Sequence, residues 1–277
     1  MSSHANIIYH SRLRTARDAG LRAPWWREYD EPHTPFRVVT RDGVELRGVH
    51  LRTGFETLLV YCHGFLSGKN YWHSRRWVQM LAADMDVIAF DFRGHGESGG
   101  ATTFGEREIL DLDAVIEYAR RFEYSRIVVM GSSMGGAVAI RYAAECKHAD
   151  AVITMGAFAH GRFSVWALGG LGLLYVPFSR EVMRRAYGTR IERVRPPYAP
   201  RDYVGGISPR PLLILHGALD PLIPLSHART LYAEAREPKR LYIIPRGGHD
   251  TENLSARTKA RVVEWLNHAP WSEHGAR

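Results

Sequence analysis

Cysteine is nearly absent: the 277 residues hold two, Cys62 and Cys146. Two cannot form the disulfide framework of a small secreted scaffold, and each sits in an apolar segment where a thiol serves as a small hydrophobe. No apolar run reaches the length of a bilayer crossing, and the first thirty residues contain no apolar leader core, so a reducing, cytoplasmic setting is expected. Internal repeats and low-complexity tracts are missing. So are zinc-finger spacings and an RNP-like aromatic run, and the excess positive charge, a net +8 carried mostly by arginine, is scattered rather than gathered on one stretch. Nucleic acid is therefore not an expected partner. The charge favours acidic ligands or anionic surfaces and says nothing about fold.

Hydrophobic residues make up 45% of the chain, enough for one large core. Short β-branched runs alternate with helical patterns. Strands are predicted over 36–40 and 44–51, joined by the Asp42-Gly43 turn, and then over 57–62, 86–92, 127–130, 151–155, 211–216 and 240–244. Helices are predicted near 71–83, 106–121, 137–144, 226–236 and 251–268, the last capped by Asp250 or Thr251. Eight strands with intervening helices give an α/β fold with a mostly parallel sheet covered on both faces, and the opening hairpin supplies an antiparallel start.

The segment 158–206 breaks that rhythm, with an apolar stretch from Phe163 to Phe178 followed by arginines at 180, 184, 185, 190, 193 and 195. It is too long for a simple connection and too short in its apolar part to cross a bilayer, so a small helical cap inserted after the sixth strand is expected. The domains are then an N-terminal arm (1–35), a core (36–157 and 207–277) and the cap (158–206). The arm carries Arg12, Arg14, Arg17 and Arg22 before Trp25-Trp26, a basic amphipathic pattern compatible with a membrane surface; packing across the core is the reading adopted.

Chemistry concentrates at Gly131-Ser132-Ser133-Met134-Gly135, a G-x-S-x-G pattern between a buried strand and a helix. A strand that turns abruptly into a helix strains the serine and leaves room only for glycine two places either side. Serine needs a base, and the base needs an orienting carboxylate. Among fourteen histidines, His249 stands apart, because it follows a strand in the loop Pro245-Arg246-Gly247-Gly248-His249. Asp220 likewise follows a strand, in His216-Gly217-Ala218-Leu219-Asp220-Pro221. Asp91 and Asp250 are rival acids, the first on the wrong side of the nucleophile in chain order and the second too close to His249 to orient its ring.

Two other patterns are set aside. Gly94-His95-Gly96-Glu97-Ser98-Gly99 fits the dinucleotide fingerprint, but no helix opens inside it. Gly64 to Asn70 is one residue short of a phosphate-binding loop and lacks its hydroxyl.

Taken together, His63-Gly64-Phe65, Asp91-Phe92-Arg93-Gly94-His95-Gly96-Glu97-Ser98, the serine pentapeptide, Asp220 and His249 make residues 36–268 resemble the α/β-hydrolase superfamily, nearest its esterase, monoacylglycerol-lipase-like and serine-aminopeptidase-like members. The resemblance implies a triad of Ser133, Asp220 and His249 in the order nucleophile, acid, histidine. It also implies an oxyanion site made by the backbone amides of Phe65 and Met134. The implied activity is carboxylic ester hydrolysis through an acyl-enzyme, without metal or cofactor, on a small acyl substrate that is lipid-like or anionic. Thioesterase or peptidase activity is the alternative, and a non-catalytic ligand-binding protein of the same fold the rival from another class. Dehalogenase or epoxide hydrolase chemistry would need a carboxylate where Ser133 stands.

Overall fold

A computed structural model describes residues 27–163, 172, 173, 177–249, 253 and 255–271. Its eight strands form one sheet: β1 (Thr34–Val39), β2 (Glu45–Leu51), β3 (Thr57–Cys62), β4 (Asp86–Phe90), β5 (Arg126–Ser132), β6 (Ala151–Met155), β7 (Leu212–Gly217) and β8 (Lys239–Ile244). The spatial order is β1-β2-β4-β3-β5-β6-β7-β8. The β1–β2 and β2–β4 pairings are antiparallel and the rest parallel.

Sequence period and sheet agree closely. In β3 and β5, Leu58, Val60, Ile127 and Val129 join one core, while Leu59, Tyr61, Val128 and Met130 join the other. Both faces are apolar because both are covered, the condition of a parallel sheet. Helices α2 (Glu108–Ala119), α3 (Met134–Glu145) and α6 (Ser226–Glu234) contribute to the first core, and α1 (Trp72–Leu81) and α7 (Ala256–His268) to the second. Trp77 and Leu81 of α1 and Val262 of α7 are fully buried against the strands. Among the described residues no helix is long and apolar enough to cross a membrane.

In three places the elements differ from the sequence expectation. Strand β5 runs on to Ser132 and α3 begins at Met134, so no loop separates them. Helix α7 begins at Ala256 and is capped by Ser255, whose extended backbone lets Oγ accept the Thr258 amide at 3.1 Å. The earlier start at 251 is not seen; Asp250 and Thr251 lie outside the described residues, and Asn253 serves a different purpose described below. Between β6 and β7 the described residues include α4 (Pro177–Tyr187) and the short α5 (Arg201–Val204). The arginines here are not simply a solvated face. Arg190 donates to the Gly100 carbonyl at 2.8 Å, Arg193 pairs with Glu106 at 3.0 Å, and Arg107 pairs with Glu192, which ties this segment to the loop after β4.

That loop is fixed from below by Arg93, a guanidinium only 1% exposed. Nε donates to Asp111 at 2.8 Å, and the two terminal nitrogens donate to Asp42 at 2.7 and 2.9 Å. Hydrogen bonding to Arg93 pulls the Asp42 carboxyl down to about 2. The aspartate of the opening hairpin turn is therefore also an anchor for the sheet's carboxyl edge.

Two buried histidines make the fold acid-sensitive. Burial, against the opposing pull of Asp86, lowers His50 to about 4; burial and the neighbouring His160 lower His227 to about 4. His227 Nδ1 accepts the Ala159 amide at 3.0 Å, a bond that protonation would remove. Both imidazoles are neutral in the folded protein, whereas the unfolded chain takes up protons below about 6.5. Their stability contribution is complete above that pH and is lost as the pH falls toward 4. The expected loss between pH 7 and 5 is on the order of a few kcal/mol. Denaturant unfolding at the two pH values measures it, and His227→Gln should flatten part of the slope.

Candidate active site

Strand β5 lies at the centre of the sheet between β3 and β6, and its carboxyl end delivers Ser133. Ser133 has φ 50° and ψ −115°, a backbone that a residue with a side chain rarely adopts. The flanking glycines explain how the turn closes. A methyl group on Gly131 would lie 2.2 Å from the Gly135 carbonyl oxygen, and one on Gly135 would lie 2.2 Å from that of Cys62. The Ser133 amide donates to the Met155 carbonyl at the end of β6, at 2.8 Å.

The acid–histidine pair comes from the ends of β7 and β8. His249 Nδ1 lies 2.7 Å from Asp220 Oδ2, and the Asp220 side chain is wholly buried. The other carboxylate oxygen accepts the Leu222 and Ile223 amides at 2.9 and 2.8 Å. Burial drives the Asp220 carboxyl upward, but the hydrogen bond and charge of His249 and these two amides outweigh it, so the net shift is downward. Asp220 is thus a carboxylate at neutral pH. Gly156 links the pair to the elbow: a methyl group there would stand 3.4 Å from His249 Nδ1 and 3.5 Å from Asp220 Oδ2, one residue from the carbonyl that receives the Ser133 amide.

Met134 follows Ser133 in the chain, and Phe65 follows Gly64, which approaches the serine. Met134 opens α3, so its amide belongs to the first turn, which has no intrahelical acceptor. Gly64, just before Phe65, is so close that a methyl group would sit 3.3 Å from Ser133 Cβ. His63 holds this loop. Its Nε2 accepts the Phe92 amide at 2.9 Å, so the proton resides on Nδ1 and is donated to the Gly64 carbonyl at 2.7 Å. Burial keeps this imidazole neutral by lowering its pKa well below the ordinary value.

The far end of the loop is fastened by Lys69. Its Nζ donates to Asp91 at 2.7 Å and to Glu97 at 2.5 Å, and its backbone amide donates to Asp91 at 2.7 Å. Burial opposes the ammonium charge, yet Asp91 and Glu97 together raise its pKa. Asp91, the rival acid, is therefore spent on a lysine. The same network accounts for both discarded patterns: Lys69 is engaged by carboxylates rather than open to a phosphate, and the Gly94 amide folds back on the Gly99 carbonyl at 2.7 Å. Asn253, which the sequence reading passed over, donates to the Gly248 carbonyl at 3.0 Å and so braces the loop that carries His249. A lone asparagine in a polar stretch gives no sequence signal for such a role. Among the described residues no group of three or more His, Cys, Asp or Glu side chains is arranged to hold a metal ion.

A central parallel sheet, a serine on a strained strand-to-helix elbow and an acid–histidine pair from the last two strands define an α/β-hydrolase-fold protein. A family model described as the alpha/beta hydrolase fold matches residues 57–169. Among curated relatives, the uncharacterized protein YqkD of Bacillus subtilis is 28% identical over 255 residues, 84% of this chain and 79% of that one. The uncharacterized protein YfhR of Escherichia coli K12 is 28% identical over 239 residues, 82% and 74% of the two chains. Among solved structures, the Pyrococcus furiosus esterase Pf2001 superposes with a TM-score of 0.70 at 24% identity, covering 95% of this chain and 99% of that one. A thermophilic esterase from Thermogutta terrifontis gives 0.63 at 21% identity, covering 84% and 98%. The family match over residues 57–169 and the superposition over 95% of the chain show the α/β-hydrolase fold.

Proposed function

We propose that this protein is a serine hydrolase that cleaves carboxylic esters through an acyl-enzyme on Ser133. The observation that carries the reading is the 2.7 Å contact between His249 Nδ1 and a buried Asp220 carboxylate, beside a serine in a strained elbow. Ser133 Oγ attacks the ester carbonyl carbon while its proton passes to His249 Nε2. The carbonyl electrons move onto oxygen, where the Phe65 and Met134 amides receive them. Such donors typically supply about 3 kcal/mol each of transition-state stabilisation. The electron pair returns, the bond to the alcohol oxygen breaks, and His249 hands its proton to the departing alcohol. Water, deprotonated by the same histidine, then releases the acid and restores the serine. Asp220 holds the tautomer with hydrogen on Nδ1 and stabilises the imidazolium. Esterase names among the structural neighbours agree with this choice of bond.

An alkyl fluorophosphonate tests the assignment. The wild-type protein should react and carry a single adduct on the peptide containing Ser133, mapped by mass spectrometry. A protein that stays unlabelled, or that is labelled elsewhere, would overturn it.

A further inference from the structure

Four phenylalanine rings cluster among the segments that follow β3, β4 and β6. Phe65 lies three residues past the end of β3 and Phe158 three past the end of β6, the two strands that flank β5. Phe104 joins them, with ring centroids 4.6 Å from Phe65, 6.2 Å from Phe158 and 6.4 Å from Phe163; Phe163 is 5.3 Å from Phe158. The segment bearing Phe104 touches both residues assigned to the proposed oxyanion site. The Phe104 ring packs on Phe65, and Thr102 Oγ1 lies 4.0 Å from Met134 Sδ.

Ordinary core packing does not require the backbone found here. Phe104 has φ 57° and is 5% exposed. A bulky residue in the left-handed region is strained and persists only where its surroundings over-determine it. Glu108, fully buried in the first turn of α2, supplies that constraint. One carboxylate oxygen accepts Thr102 Oγ1 at 2.6 Å and the Thr103 amide at 2.8 Å. The other accepts Thr103 Oγ1 at 2.7 Å and the Gly105 amide at 2.8 Å. A buried carboxylate with four donors thus fixes the backbone that packs the Phe104 ring between Phe65 of the loop after β3 and Phe158 of the loop after β6.

We propose that Phe104 is a specificity-determining residue that closes the acyl side of the site and confines the substrate to short acyl groups, acetyl to butyryl. The assignment rests on Ser133 being the acyl acceptor. An acyl chain extending from a carbonyl held by the Phe65 and Met134 amides meets the Phe104 ring, and the Glu108 network prevents that ring from swinging aside. The gap a longer chain needs is the one the ring fills.

The experiment is a series of p-nitrophenyl acetate, butyrate, hexanoate and octanoate with wild type and Phe104→Ala, run alongside fluorophosphonate labelling of Ser133. Wild-type kcat/KM is expected to fall about tenfold or more from butyrate to octanoate, and in Phe104→Ala the octanoate-to-acetate ratio is expected to rise about tenfold or more. Phe104→Gly, which suits the left-handed backbone, is the second variant should the alanine protein not fold. A wild-type preference for octanoate over butyrate overturns the assignment, as does a substitution that scales all four esters by one factor. If Ser133 is labelled and the chain-length profile does not move, Phe104 alone has been misassigned. If wild type is neither labelled nor active on any ester, the esterase reading falls and this assignment with it.

Discussion

Ser133→Gly is expected to leave a more stable protein with no esterase activity. At φ 50° and ψ −115° the serine is held in a backbone region that glycine enters freely. Removing Cβ relieves roughly 1–3 kcal/mol of strain, offset by about 1 kcal/mol of extra chain entropy in the unfolded glycine variant. The net gain should be about 1 kcal/mol, a rise in Tm of about 2 °C for a chain this long. Ser133→Ala keeps Cβ and therefore the strain, so its Tm should stay near that of wild type. Turnover of p-nitrophenyl butyrate should drop at least 10⁴-fold, by order of magnitude, in both variants, since no other group replaces the nucleophile. Calorimetry and initial rates on the three proteins decide the matter. A glycine variant that melts below the alanine variant would refute the strain argument, and a surviving rate would remove Ser133 from the mechanism.

Asp220→Asn should cost activity on a similar scale with little change in stability. An amide at this position keeps an oxygen that can face the Leu222 and Ile223 amides, so the turn over 220–223 retains its hydrogen bonds. What changes is the atom opposite His249 Nδ1, now a donor in place of an acceptor. The imidazole must then turn or adopt the opposite tautomer, with its proton on the nitrogen that should face Ser133. The expected fall in kcat is about 10⁴-fold, with the unfolding midpoint unchanged. A loss smaller than about tenfold would mean that another group orients His249.

The secondary structure was readable because both cores impose their period on the sequence. Leu58, Val60 and Cys62 point to one core and Leu59 and Tyr61 to the other, so the run 58–62 is apolar throughout, as a strand covered on both faces must be. The elbow was readable for a different reason. Gly131 and Gly135 stand where a methyl group would strike backbone carbonyls, an unavoidable clash that leaves a mark in the sequence. Element ends were less legible where a side chain decided them: Ser255 rather than Asp250 or Thr251 caps α7, because its extended backbone lets Oγ meet the Thr258 amide.

By itself the sequence determined an alternating strand–helix chain, a strained serine at one strand end, and candidate acid and histidine residues after two later strands. Only the tertiary structure decided that β4 lies between β2 and β3, that Asp220 comes within 2.7 Å of His249, and that Asp91 is taken by Lys69. It also decided that Glu108 and Asn253 brace the loops around Ser133 and His249. Local pattern records what a residue requires of its immediate neighbours, periodic burial or room for a turn. Which distant carboxylate meets which cation or imidazole depends on the order in which the strands assemble, and that order is settled by packing across the whole sheet.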